Sequence, residues 1–82
     1  MNRALLSSDY ADIARTHTVE VLEDIRDVFI ARIEQVNEFI AESEERDMPR
    51  FVERFTTMAQ TYRVCADDIA LAIQAEQRRM HQ

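Results

Sequence analysis

The chain has 82 residues, 16 acidic and ten basic, for a formal net charge of −6, and all ten basic residues are arginine. That balance speaks against binding nucleic-acid phosphates or anionic lipid, since both need cations, and the length allows one domain at most. A hydrophobic content of 46% excludes disorder along the whole chain. A single cysteine excludes an internal disulfide and suits a reducing compartment.

Taken in chain order, residues 1–7 are expected to form an arm. Met1-Asn2-Arg3-Ala4-Leu5-Leu6 has an apolar stub but no h-region, so a secretory signal is not expected. No apolar run approaches the roughly 20 residues needed to span a bilayer, so the expected setting is the cytoplasm, away from membranes. Ser7-Ser8-Asp9 offers N-cap chemistry, and a first helix is predicted over about residues 8–45. Thr16, Thr18 and Val19 are β-branched and lower helix propensity, so a kink or break is open there.

The first helix sorts into faces at 100° per residue. Leu22, Ile25, Phe29, Ile33, Val36 and Ile40 share one direction. Glu20, Asp24, Asp27, Glu34, Glu38, Glu42 and Glu45 lie opposite, and Val21, Val28 and Phe39 flank the apolar stripe. The apolar face is wider than one partner helix needs. The acidic line has two readings, a solvated outer face or a mimic of nucleic-acid phosphates, although Arg26 and Arg32 interrupt its flanks.

A turn is expected at about residues 46–48. Asp47 reads as the N-cap of the next helix, and Pro49 falls in its first turn, where no amide hydrogen is needed. The second helix is predicted over about residues 48–79. Its main seam reads Phe51, Phe55, Met58, Tyr62, Cys65, Ile69 and Ala72 at alternating steps of four and three, with Val52, Ala59, Ala66, Ile73 and Met80 beside it. Arg78 and Arg79 complement the dipole of the last turn. A short link makes the two helices antiparallel neighbours. The fold class is therefore all-α, an antiparallel hairpin spanning residues 1–82. Such a core rarely supplies more than about 3–5 kcal/mol, so homodimerisation into a four-helix bundle is expected.

Side chains with chemical potential have plain structural readings. His17 lacks the Glu-x-x-His spacing of di-metal bundles and reads as a surface histidine, while Cys65 reads as a small core residue without a nearby base. Glu34 and Glu38 lie on the exposed face rather than in a pocket. There is no Gly, hence no glycine-rich phosphate loop. No catalytic, cofactor-binding or metal-binding residue is expected, and a narrow helical pair encloses no cavity of enzymatic size. Val64 and Leu71 project opposite the main seam beside Asp67 and Asp68, either as a contact ridge for a target protein or as isolated surface residues.

In size, acidity, lack of Gly and two-helix design, with the seam Phe55, Met58, Tyr62, Cys65 and Ile69, the chain resembles small early proteins of bacteriophages. Some of these bind and disable host machinery such as the type IV pilus assembly ATPase, quorum-sensing regulators and CRISPR complexes. The resemblance is one of outline and carries over no functional residue. It implies a non-enzymatic inhibitor or regulator that binds a larger host protein. An acidic nucleic-acid mimic and a structural adaptor subunit are the alternatives.

Overall fold

The computed structural model describes the backbone of residues 3–80 and the side chains of residues 13–79. It is an antiparallel pair of helices, α1 (Arg3–Glu45) and α2 (Pro49–Met80), with no strand among the described residues. The first helix begins at Arg3 rather than near residue 8, so the expected arm over 1–7 is largely part of α1. No break occurs at Thr16–Val19, because the Thr18 hydroxyl donates to the Ala14 carbonyl one turn back at 2.9 Å and is satisfied within the helix.

The turn corrects the role read for Asp47. Its backbone is left-handed, with φ 52°. Its amide donates to the Glu44 carbonyl at 3.1 Å, and the Met48 amide donates to the Ser43 carbonyl at 2.9 Å. This pair of bonds is a Schellman motif that closes the end of α1, with Asp47 where glycine is usual. The Met48 carbonyl accepts from the Phe51 and Val52 amides, so Met48, not Asp47, is the residue that opens α2. Pro49 takes the first helical position, as expected.

A strict heptad closes the pair. On α1 the seam positions, all buried or half-buried, are Val19, Leu22, Arg26, Phe29, Ile33, Val36, Ile40 and Ser43; on α2 they are Val52, Phe55, Ala59, Tyr62, Ala66, Ile69, Ile73 and Glu76, while Arg15, Glu23, Cys65 and Ala70 are half-buried beside the seam. Counted outward from the turn, Ser43 is level with Val52, Val36 with Ala59, Phe29 with Ala66 and Leu22 with Ile73. Cross-helix contacts agree with this register. The Phe39 and Phe55 rings lie 5.4 Å apart, those of Phe29 and Tyr62 5.9 Å apart, and the Arg15 guanidinium donates to the Arg79 carbonyl at 3.2 Å. Large residues of α1 thus face alanines of α2, and the backbones can approach closely there.

The seam of α2 is therefore displaced by one line from the one read in the sequence. Ala59, Ala66 and Ile73 are buried, whereas Phe51 and Met58, read as seam residues, are each 42% exposed. Phe55, Tyr62, Cys65 and Ile69 are half-buried, and Ala72 is exposed. On α1, Val36 is buried, Leu22, Phe29, Ile33 and Ile40 are half-buried, and Ile25 is exposed. No large side chain is fully buried among the described residues. Met80, read beside the seam, lies outside the described side chains.

Candidate protein-binding surfaces

The heptad gives the hairpin two unlike broad faces. In an antiparallel pair, equivalent flanks of the two helices lie side by side. One face brings Ile25, Arg32 and Phe39 of α1 beside Phe51, Met58, Cys65 and Ala72 of α2, with Val21 and Val28 on its margin. Of these, Val28 is 54% exposed, and Val21, Ile25 and Phe39 are also open to solvent. The other face carries Glu23, Asn37 and Glu44 beside Thr56, Arg63 and Gln77, with Ile30 as its one large apolar side chain.

The turn end of the apolar face holds a shallow open hollow of about 210 Å³. Phe39, Met48, Phe51 and Phe55 form its floor and walls, with Ser43 at its base. Glu42 and Arg46 form its rim and pair with one another at 3.0 Å. The Phe51 and Phe55 rings stack at 6.2 Å. Three aromatic rings at one tip present large, rigid apolar area, the kind of surface that anchors protein interfaces.

The ridge on the outside of α2 lies where the sequence placed it. Val64 is 59% and Leu71 62% exposed, with Asp67 and Asp68 exposed on either side. The acidic residues Glu20, Asp24, Asp27, Glu34, Glu38, Glu42 and Glu45 are all exposed. His17 is exposed as well, and Cys65 is half-buried on the apolar face rather than in the seam. Among the described residues, no group of three or more His, Cys, Asp or Glu is placed to hold a metal ion.

Arg26 is the feature that amphipathic reading missed. It occupies a heptad position between Leu22 and Phe29 within the closing seam. Its Nε is buried without a hydrogen-bond partner, and the nearest carboxylate, Asp27, is 3.8 Å away. An unsatisfied buried donor costs about 1–3 kcal/mol. The signal was present as spacing, since Val19, Leu22, Arg26, Phe29 and Ile33 step by three and four. A charged residue at such a step reads as surface until the neighbouring layers are known.

No protein-family model matches the chain, and neither a curated protein nor a solved structure is significantly similar to it. No helix among the described residues is long and apolar enough to cross a membrane.

Proposed function

We propose that this hairpin is a non-enzymatic protein-binding module, a small regulator or inhibitor that occupies a surface of a larger cytoplasmic protein, such as a bacterial protein targeted by a bacteriophage. It works as a homodimeric four-helix bundle and contacts its target through the ridge of Val64 and Leu71 with Asp67 and Asp68 beside them. The observation that carries this reading is the exposure of Val64 and Leu71, 59% and 62%, on the side of α2 facing away from α1. Neither side chain is used to close the hairpin, and apolar centres with polar rims are how protein interfaces are built. Affinity capture from a bacterial lysate with mass spectrometry names the target, and calorimetry then tests the surface. Leu71→Arg abolishes binding with helicity and oligomeric state intact. Loss of binding by Val28→Arg but not by Leu71→Arg, with the oligomeric state unchanged, moves the target site to the apolar face.

The unbroken exposure of the acidic line from Glu20 to Glu45 favours a second reading, a mimic of nucleic-acid phosphates. Charge reversal at Glu34, Glu38 and Glu42 separates the two. The mimic loses its target, and the ridge binder keeps it.

A further inference from the structure

The exposed line of α2 on the apolar face tapers. It reads Phe51, Met58, Cys65, Ala72, one residue per heptad, and falls in size from the turn to the open end. Its bulky end is open to solvent, with Phe51 and Met58 each 42% exposed. A tapered line packs best against itself reversed, because facing positions that alternate large and small fill space evenly.

We infer that a second copy of this chain covers the apolar face with its long axis reversed, about a two-fold axis that crosses α2 at Thr61. This rests on the dimeric reading above and adds the face, the orientation and the register. Phe51 then lies over Ala72 of the second copy and Met58 over its Cys65, each pair occurring twice. On α1 the same operation brings Val28 toward Phe39 of the second copy.

The rim supplies an independent sign of this register. Arg54, Thr61 and Asp68 form the next line outward, again at heptad spacing. Reversal about Thr61 sets Arg54 opposite Asp68 of the second copy, also twice. Within one chain these two residues are about 21 Å apart along the helix and cannot meet. Among the described residues, neither takes part in an ion pair within the chain; those pairs are Arg26–Asp27, Arg46–Glu42 and Arg79–Glu76. The other packing, with both turns at one end, crowds the phenylalanines of both copies together and sets Asp68 near Val28 of the second copy. It also sets Cys65 opposite the guanidinium-bearing Arg32 of the second copy.

A designed thiol tests the register. Positions 58 and 65 of one chain are about 10 Å apart on the helix, beyond disulfide reach, so any link between them joins two copies. Met58→Cys, oxidised with glutathione disulfide, yields a covalent dimer. Each link forms as the two thiols give up their hydrogens and glutathione disulfide is reduced to two glutathiones. Peptide mapping places the link between position 58 and Cys65. Arg32→Cys joins Cys65 only when both turns share one end; in the reversed register position 32 lies beside the axis, and any link it forms is to position 32 of the second copy.

A charge exchange tests the rim without touching the apolar face. Asp68→Arg weakens the dimer roughly tenfold, and adding Arg54→Asp restores it. A dimer in sedimentation whose only mapped link joins position 32 to Cys65, or that shows no link from position 58 and ignores the charge exchange, overturns the reversed register but leaves the dimeric reading standing. A monomer in sedimentation overturns both.

Discussion

Two lines of α2 run side by side, each one residue from the other, and meet different fates. Ala59, Ala66 and Ile73 are buried against α1, while their sequence neighbours Met58 and Ala72 stay exposed and Cys65 is half-buried. Both lines are apolar and both repeat every heptad, so hydrophobicity alone does not choose between them. Volume does. The helices close where alanines let Val36 and Phe29 of α1 enter, and Phe51 and Met58 are turned outward, while at the open end Ile73 is buried and the smaller Ala72 exposed. The bulk that makes Phe51 and Met58 look like core residues is what excludes them from the narrow seam of a two-helix structure. A wider bundle has room for them.

Neighbouring substitutions break this comparison most sharply. Ile73→Glu puts an unpaired carboxylate in the closed seam, at a cost of several kcal/mol, and the hairpin unfolds. Ala72→Glu leaves each hairpin helical and abolishes only the proposed dimer. Circular dichroism with sedimentation distinguishes them; if the two variants behave alike, the lines are not separate. A smaller effect of opposite sign is expected at Arg26. Arg26→Met keeps the long stem, removes the unpartnered Nε and raises stability by about 1–3 kcal/mol in urea unfolding. No gain would mean that the guanidinium finds partners in the assembled protein.

The smallest effect concerns the turn. Asp47→Gly relieves a left-handed backbone and raises stability by about 0.5–1 kcal/mol. An N-cap at Asp47 requires the reverse, a loss of a few tenths. The sign of the shift in the urea midpoint therefore reports which helix Asp47 serves.

Much of this architecture is legible in the sequence. The two amphipathic repeats, the position of Pro49, the exposed acidic line and the exposed ridge at Val64 and Leu71 follow from period and turn chemistry. Other features depend on the partner surface. A helix chooses between parallel apolar lines only when its neighbour's side chains are in place. Arg26 reads as surface until Leu22 and Phe29 are seen to close around it. Asp47 has the chemistry of either helix end, and only the amide of Met48 reaching Ser43 assigns it. At Thr16–Val19 the low propensity is real, but the Thr18 hydroxyl bonds within the helix and the chain continues.

The matched heptads of α1 and α2 also set a rule for changes in length. Residues 30–36 lie level with residues 59–65 when both helices are counted from the turn. Loss of both segments removes one whole slab and rejoins every remaining layer in phase, with the turn untouched. Loss of either segment alone slides one helix a full heptad past the other, so that Leu22 no longer meets Ile73 and Arg15 no longer reaches Arg79. Variation in length among sequences that share this hairpin should therefore be quantised, in sevens, and always drawn from both arms at once.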